Sequence, residues 1–266
     1  TKSITSRSEL ENFLDSNKNI DFPVFLKSSE SFNMMKSFGS KGEICYSIDE
    51  ILIAYEKFNG FNGSLLIQDF IPGDIDKIFA VLLVLDQKGN AIAAASNKKI
   101  RSGTIYGSTS LSKSFWNENL IKRAIILAKS LGYYGPIGVQ FKFDPRDNEY
   151  KFLEINGRFS VSVSLSQKCG VNLPKIVFDE FMNRKNNKDF SFQKATQDNV
   201  ILWYPLSDIK ILGQKRFYLN PVSYLGDLLG RSYIIEPFSF RDPLPVIMMF
   251  FKMIRAMFRK LFKIYA

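Results

Sequence analysis

The stretch Phe152-Leu153-Glu154-Ile155-Asn156-Gly157-Arg158-Phe159 decides the fold of this chain. Its polar Glu154 and Asn156 alternate with apolar residues, which is typical of a strand with one face on a core and one face in water. Residues 137–144 have a similar apolar-rich pattern, and Pro145-Arg146-Asp147-Asn148 after them is a strong turn signal. The sequence therefore predicts a β-hairpin that pairs residues 137–144 with 150–156.

The predicted hairpin has one polar and one apolar face. If its turn centres on Asp147, Gln140 lies opposite Glu154, and Asn156 shares their face. The other face is suited to a core and consists of Val139, Phe141, Phe143, Leu153 and Ile155. Amide and carboxylate oxygens are hard ligands of the kind that Mg²⁺ prefers beside substrate phosphates, and Arg158 could hold phosphate oxygens in a bidentate pair. Taken alone, however, the pattern is explained better by a solvated polar face than by a metal site.

Further motifs, in a fixed order along the chain, favour the metal site over a solvated polar face. They are Pro23-Val24-Phe25-Leu26-Lys27, Ser37-Phe38-Gly39-Ser40-Lys41-Gly42, Asp69-Phe70-Ile71-Pro72-Gly73 and Gly138-Val139-Gln140-Phe141. Together with residues 152–159 they resemble the motifs of the ATP-grasp superfamily. The pattern is nearest to its carbamoyl-phosphate-synthase-like and PylC-like carboxylate–amine ligases. The resemblance covers residues 1–184.

The resemblance implies an α+β fold, the ATP-grasp fold, in which two α+β subdomains clasp ATP between them. It places the N-terminal subdomain at residues 1–70 and the C-terminal subdomain, with the metal-binding hairpin, at residues 71–184. Residues 185–266 would form a C-terminal extension that ends in a basic amphipathic helix. Independently of the resemblance, strands and helices mix without regular βαβ alternation, which favours α+β over a doubly wound sheet.

The resemblance also assigns the contacts to the phosphates and the ribose of ATP. Lys27 and Lys41 would contact the phosphates, and Lys27 would also act in catalysis. Asp76, or with less support Asp74, would bind the ribose hydroxyls. Lys27 ends an apolar strand, where a solvated lysine is unexpected, whereas Lys41 and Asp74 are equally compatible with charges on a surface loop.

The hinge and the metal side follow from the same resemblance. Asp69 belongs to the hinge motif, in which the backbone of Phe70 and Ile71 would read the adenine edge. Arg158 would be catalytic and face the transferred phosphoryl group. The ligands that the resemblance implies for one or two Mg²⁺ ions, or for Mn²⁺ instead, are Gln140, Glu154 and Asn156.

The expected function is that of an ATP- and magnesium-dependent ligase core. It would activate a substrate carboxylate as an acyl phosphate for attack by an amine or another nucleophile. Phosphoryl transfer needs positioning and charge neutralisation, which lysine, arginine and magnesium supply. One alternative is an ATP-grasp kinase that phosphorylates a hydroxyl. Another is a non-catalytic basic module that binds membrane or nucleic acid, which explains the charge of the chain but not the ordered motifs.

Composition narrows the chemistry further. The chain contains no histidine, which excludes histidine triads and histidine zinc sites, and its formal charge is +10. Cys45 and Cys169 are the only cysteines, so a disulfide framework is absent and a reducing cytoplasm is the simplest location. No zinc-finger spacing or RNA-recognition motif is present, so we expect no nucleic-acid partner.

The expected partners are small-molecule carboxylate and nucleophile substrates and a further domain. ATP-grasp enzymes normally have a preceding Rossmann-like domain, and this chain starts at Thr1, near the point where such a domain would end. We therefore expect an N-terminal domain that has been removed or lies on a partner chain. We also expect the chain alone to be a poor ligase.

The C-terminal residues predict one more helix. It would start near Pro243 and Pro245 and carry a basic stripe. The stripe consists of Lys252, Arg255, Arg259 and Lys263. The charges exclude a transmembrane span. Docking of the apolar side on the protein itself is favoured, and weak contact with an anionic membrane surface is the alternative.

Local signals fix several other elements. Capping boxes at Ser6–Glu9 and Ser47–Glu50 predict two helix starts, and residues 28–42, rich in Ser and Gly, predict a loop. Residues 76–85 and 91–100 predict two strands joined by a tight turn.

Overall fold

A computed structural model gives the fold of the chain as two compact units, Thr1–Pro72 and Gly73–Ala266. Each unit combines helices with a sheet whose strands are mainly antiparallel, which confirms the predicted α+β class. The division lies close to the predicted boundary between residues 70 and 71. The residues that the structure describes are 1–17, 19–58, 63–102, 109–182, 192–205, 207–208, 221–230, 232–239, 241–251 and 255.

The smaller unit is a four-stranded antiparallel sheet in the order β1-β4-β2-β3 with three helices. Its elements are β1 (Lys2–Ile4), α1 (Arg7–Ser16), β2 (Val24–Ser28), α2 (Ser31–Phe38), β3 (Gly42–Cys45), α3 (Ile48–Lys57) and β4 (Leu65–Asp69). Alternate residues of the central strand β2, Val24 and Leu26, are buried against Leu10 of α1 and Ile51 of α3 in one apolar cluster. The period of two along β2 therefore decides which face of this sheet the helices cover.

Both predicted helix starts are confirmed. The Ser6 hydroxyl accepts a hydrogen bond from the Glu9 backbone N–H, and the Ser47 hydroxyl accepts one from the Glu50 backbone N–H. The Glu50 carboxylate accepts in turn from the backbone N–H of Tyr46. These bonds satisfy backbone donors that the first turn of a helix leaves without intrahelical partners.

The loop predicted for residues 28–42 is only partly correct. Residues 31–38 form α2, which ends at Gly39 with a left-handed φ of 71°. The helix is stabilised by tertiary packing, since Met34 is fully buried in the core and the ring of Phe38 lies edge-on to Phe58 at 5.3 Å. Burial of apolar side chains has thus overridden the serine-rich composition of this segment.

The larger unit is built on an eight-stranded sheet in the order β12-β11-β7-β6-β5-β8-β9, with β10 paired to β6. Its first elements are a 3₁₀ turn (Ile75–Lys77), β5 (Ile78–Leu85), β6 (Ala91–Ser102), β7 (Thr109–Ser114), α4 (Glu118–Ser130), β8 (Gly135–Asp144) and β9 (Glu149–Asn156). They are followed by α5 (Val163–Lys168), α6 (Leu173–Phe181), β10 (Gln193–Lys194), β11 (Val200–Trp203), α7 (Pro221–Gly226) and β12 (Ser232–Ile235). The predicted hairpin and the predicted strand pair β5–β6 are both confirmed.

The two faces of this sheet are covered differently. Helix α4 packs Leu120 and Ala124 on the face that carries Val81, Leu83 and Val139. The other face carries Leu82, Ala95 and Leu202, and it is covered by α5 and α6 through Leu165 and Leu173. Further along the second face Gln140 is only half-buried and Glu154 is exposed. The fold thus leaves a polar area on a sheet that is otherwise a core.

The described part of residues 185–266 contributes strands to this sheet. β11 pairs antiparallel with β7, and β12 pairs parallel with β11. Residues 244–251 are helical, and most of the predicted basic stripe lies outside the described residues. Where the tail is described, Met249 is half-buried and Phe250 is exposed, and docking of the apolar side on the protein stays a prediction. No described helix is long and apolar enough to cross a membrane.

Candidate functional site

The β8–β9 hairpin pairs Gln140 with Glu154 as predicted, but the pairing between these residues and the turn differs from the prediction. Near the turn, Asp144 pairs with Glu149, so the turn is one residue tighter than a centre at Asp147 requires. A bulge between Gln140 and Phe141 compensates, because Phe141 pairs with Phe152 while Gln140 pairs with Glu154. The extra residue is Leu153. It was predicted to face the core and is only half-buried, because a bulge breaks the alternation of side chains.

Gln140, Glu154 and Asn156 lie together on the open face. Gln140 Nε2 donates a hydrogen bond of 2.6 Å to Glu154 Oε1, and Asn156 Nδ2 donates one of 3.2 Å to the same oxygen. Each amide also carries a carbonyl oxygen, so the cluster offers one carboxylate and two amide oxygens as hard ligands. Among the described residues no group of three or more Asp, Glu, His or Cys could hold a metal. This mixed cluster is therefore the best candidate for a divalent cation on the larger unit.

Register extends this polar row across the sheet. Ala80 pairs with Gln140 on one side and with Asn97 on the other, and Asn97 pairs with Ser114 on β7. Residues paired in this way share a face, so Asn97 belongs to the same surface as Glu154. The sequence analysis did not single out Asn97. Its position shortly after the apolar run Ala91–Ala95 of β6 was the available signal.

The loop that carries Arg158 is fixed to the sheet by specific contacts. Asn97 Nδ2 donates to Ser162 Oγ at 3.0 Å, and the hydroxyls of Ser160 and Ser162 are 2.7 Å apart. A Cβ at Gly138 would lie 3.2 Å from the carbonyl oxygen of Arg158, so a glycine allows this loop to approach β8. Arg158 itself is exposed and donates to the carbonyl of Phe159. Its guanidinium therefore faces solvent on a loop that is held in place.

Asp76 and Asp74 differ in their surroundings. Asp76 Oδ2 accepts from Lys98 Nζ at 3.4 Å, and Lys77 Nζ is 3.9 Å away. Asp74 is exposed. Both Asp76 and Lys98 are partly exposed, so the pair is worth little to stability. The structure therefore shows the preferred ribose candidate, Asp76, in a cationic environment that the sequence analysis did not foresee.

Lys142 is a second cation that the sequence analysis missed. It lies two residues from Gln140 on β8, hence on the same face, and is 8% exposed. Burial lowers the pKa of Lys142, against the opposing effect of the Asp74 and Asp144 carboxylates. Its place between Phe141 and Phe143 in an alternating strand was the signal that could have identified it.

The predicted phosphate lysines lie on the smaller unit. Lys27 on β2 pairs with Gly42 on β3, and Lys41 directly precedes Gly42, so the backbone brings the two lysines to neighbouring strands. Both side chains are half-buried. A Cβ at Gly42 would lie 2.3 Å from the carbonyl oxygen of Leu26, so only glycine fits where β3 approaches β2.

The predicted hinge residues follow the last strand of the smaller unit. Asp69 ends β4 and is exposed, and Phe70 N–H donates to the Pro23 carbonyl at 3.1 Å. The ring of Phe70 is 6.5 Å from that of Phe25, and Ile71 is buried. Within this unit the hinge is thus bonded to the residue before β2, and Lys27 lies near the end of the same strand. Asp74, Asp76, Arg158 and the oxygen-ligand cluster belong to the other unit.

The two thiols are unsuited to nucleophilic chemistry. Cys45 and Cys169 are both free and buried. Burial raises the pKa of Cys45 to about 11 and raises the pKa of Cys169 as well. A thiol with a raised pKa is protonated at neutral pH and reacts poorly. Chemistry on this chain is therefore left to carboxylates, amides, lysines and arginines.

Known proteins with similar sequences point to the same class. A family model described as "ATP-grasp in the biosynthetic pathway with Ter operon" matches residues 76–201. D-aspartate ligase from Enterococcus faecium (strain Aus0004) is 23% identical over 194 residues, which are 69% of this chain and 45% of that protein. The carbamoyl phosphate synthase large chain from Clostridium botulinum (strain Langeland) is 23% identical over 250 residues, 85% of this chain and 23% of that protein.

A solved structure shares the fold. The biotin carboxylase domain of 2-oxoglutarate carboxylase from Hydrogenobacter thermophilus, crystallised with MgADP, ADP and bicarbonate, gives a TM-score of 0.53 at 18% identity. The match covers 72% of this chain and 43% of that one. The fold is thus the ATP-grasp fold. The sequence comparisons agree with this fold, since an ATP-grasp family model matches residues 76–201 and the relatives named above are similar to most of the chain. The chain spans less than half the length of the relatives that it matches.

Proposed function

We propose that this chain is the ATP- and magnesium-dependent core of a ligase that activates a substrate carboxylate as an acyl phosphate. An amine is the expected attacking nucleophile. The observation that carries the proposal is the convergence of Gln140, Glu154 and Asn156, with both amides donating to one oxygen of Glu154. The names of the relatives, D-aspartate ligase and carbamoyl phosphate synthase, support a ligase rather than another ATP-dependent enzyme.

The donor set fits a magnesium ion. Mg²⁺ binds one or two carboxylates together with phosphate oxygens and water, and Glu154 supplies one carboxylate beside two amides. When bound, the ion neutralises charge on the transferred phosphoryl group. Titration with Mg²⁺ and with Mn²⁺ measures the number of bound ions and the preference between the two metals.

Cationic side chains would hold the phosphates and the developing charge. In this proposal Lys27 and Lys41 bind phosphate oxygens, and Arg158 contacts the transferred phosphoryl group through its planar fork of N–H donors. Asp76 binds a ribose hydroxyl, and the backbone at Phe70 and Ile71 reads the adenine edge. No step requires histidine, which agrees with a chain that contains none.

Trapping the acyl phosphate tests the reaction class. The chain is incubated with ATP, magnesium and a panel of carboxylic acids that includes both enantiomers of aspartate and bicarbonate. Hydroxylamine is the nucleophile. ADP release together with hydroxamate formation is expected for at least one acid of the panel other than bicarbonate. The reason is that hydroxylamine attacks an acyl phosphate to form a hydroxamate and phosphate.

The same assay separates the alternatives. Substrate-dependent ADP release without hydroxamate, and with a phosphorylated hydroxyl compound as product, would replace the ligase by a kinase. Absence of any nucleotide-dependent rise in melting temperature at millimolar ATP and magnesium would contradict nucleotide binding altogether. In the melting-temperature assay Glu154→Gln should lose the magnesium-dependent rise. Its matched control is Glu149→Gln, which lies on the same strand at the other end of the hairpin.

A further inference from the structure

The helical residues 244–251 expose an entirely apolar surface. Their sequence is Leu-Pro-Val-Ile-Met-Met-Phe-Phe, without one polar side chain. Val246 and Met249 are half-buried. Pro245 is exposed, and so are the large side chains of Leu244 (65%), Ile247 (44%), Met248 (57%), Phe250 (52%) and Phe251 (64%). Single exposed apolar residues are ordinary, but a continuous run on one helix is the mark of a surface that something else covers.

The sequence that follows this helix is basic without interruption. No Asp or Glu occurs after Asp242. The basic residues there are Lys252, Arg255, Arg259, Lys260 and Lys263. Arg255 is helical and exposed. Apolar side chains next to an unbroken series of cations are the combination that binds an interface of acyl chains and anionic head groups.

A second copy of the chain fits this surface less well. Pairing two copies through it would bring two such basic segments together, and each chain already carries a formal charge of +10. Like charges brought close destabilise an interface. An anionic bilayer instead complements the charge and solvates the apolar side chains at once.

We propose that the helical residues 244–251, together with Arg255, attach this chain to the surface of a membrane that contains anionic phospholipids. Leu244, Met248 and Phe251, spaced four and three residues apart, insert into the head-group boundary. Arg255 contacts lipid phosphates. The ligase proposal does not require this attachment, so either one can fail while the other stands.

Flotation with lipid vesicles tests the proposal. The probes are vesicles of phosphatidylcholine alone and vesicles of equal parts phosphatidylcholine and phosphatidylserine. The chain is expected to bind the mixed vesicles at least about tenfold more tightly than the neutral ones, and salt is expected to weaken this preference. Equal binding to both, or binding to neither, would overturn the proposal.

Paired variants show whether this surface makes the contact. The double variant Phe250→Ser/Phe251→Ser should bind mixed vesicles at least about tenfold more weakly, since it removes the inserted ring of Phe251 and the exposed ring next to it. The control is the double variant Ile53→Ser/Ile126→Ser, whose side chains are 67% and 68% exposed on α3 and α4. It should bind like the wild type. Equal losses in both double variants would show that general surface hydrophobicity, not this helix, drives binding.

Charge reversal gives an independent readout. Arg255→Glu should weaken binding to mixed vesicles by about tenfold and leave binding to neutral vesicles unchanged. Lys122→Glu, an exposed charge on α4, should change either by less than about twofold. Should the phenylalanine variant instead convert a dimer into a monomer in sedimentation equilibrium without vesicles, a second copy covers this helix and the membrane proposal is wrong.

Discussion

The two faces of the β8–β9 hairpin are made by the same strands and have opposite properties. On one face Val139 and Phe141 are fully buried under α4. On the other, Glu154 is exposed and accepts hydrogen bonds from Gln140 and Asn156. Neighbouring residues of a strand point to opposite faces, so a side chain that stabilises the fold is followed by one that is available to bind a ligand. The hairpin thus keeps stability and binding on separate sets of residues.

The largest expected effect concerns the buried face. Phe141→Ala should lower the free energy of unfolding by about 3–5 kcal/mol, since it removes a ring from a packed cluster that includes Phe79 and Val139. Urea denaturation with a fixed m-value measures the change. Any nucleotide-induced rise in melting temperature should persist in the folded fraction.

A milder variant keeps this prediction informative if Phe141→Ala does not fold. Phe141→Leu retains most of the apolar volume and should cost less than about 1.5 kcal/mol. A loss of magnesium-dependent nucleotide binding in Phe141→Leu at nearly unchanged stability would show that the two faces are not separate.

The open face should show the reverse behaviour. Glu154→Gln should change the free energy of unfolding of the ligand-free chain by less than about 0.5 kcal/mol, because the side chain is exposed. It should abolish the magnesium-dependent part of nucleotide stabilisation, whose total is about 2.7 kcal/mol at a hundredfold excess over the dissociation constant. Differential scanning calorimetry with ATP, with and without magnesium, measures both quantities. Unchanged magnesium dependence would exclude Glu154 as a ligand.

The hairpin also shows what the sequence could and could not predict. Alternation predicted the burial of Val139 and Phe141 and the opposition of Gln140 and Glu154 correctly, but not the burial of Lys142 and Asp144. The bulge at Leu153 was not predicted, because a bulge leaves no change in composition and only shifts pairing. The tighter turn and the bulge are each one residue in size, and their effects on register cancel.

Contacts between distant segments were beyond sequence reasoning. Asn97 and Ser162 are 65 residues apart in the chain. They meet only because the loop after β9 lies over strand β6 of the larger sheet. Helix α2 was interpreted as a loop, since its stability comes from burial of Met34 and not from local propensity. The roles of Lys27, Lys41, Asp69, Asp74 and Asp76 rest on the family resemblance and stay predictions.

An effect of intermediate size on the free energy of unfolding is expected at Asn97, where the buried and the open parts of the sheet meet. Asn97→Ala removes the donor to Ser162 from a site where both residues are buried, so it should cost about 1–2 kcal/mol of unfolding free energy. Asn119→Ala removes an acceptor for Arg123 on an exposed helix surface and should cost less than about 0.5 kcal/mol. Equal effects in the two variants would show that the Asn97 contact does not fix the Arg158 loop.

The smallest effect is expected at the turn of the hairpin and depends on pH. Arg146 makes a bidentate contact with the buried Asp144 carboxylate, with Nε–Oδ1 at 2.9 Å and Nη2–Oδ2 at 2.7 Å. These bonds hold the pKa of Asp144 below its usual value, against the opposing effect of burial. A carboxyl whose pKa is lowered in the folded state stabilises the fold above its unfolded pKa, about 3.9, and the contribution is lost as the pH falls through the folded value.

Because Arg146 is half exposed, Arg146→Ala should cost no more than about 1 kcal/mol at pH 7. Urea denaturation should show this difference shrinking below about pH 4. In an Asp144→Asn background, where no carboxylate titrates, the same substitution should give a difference that does not vary with pH, and a difference that instead grows as the pH falls would show that another group controls the turn.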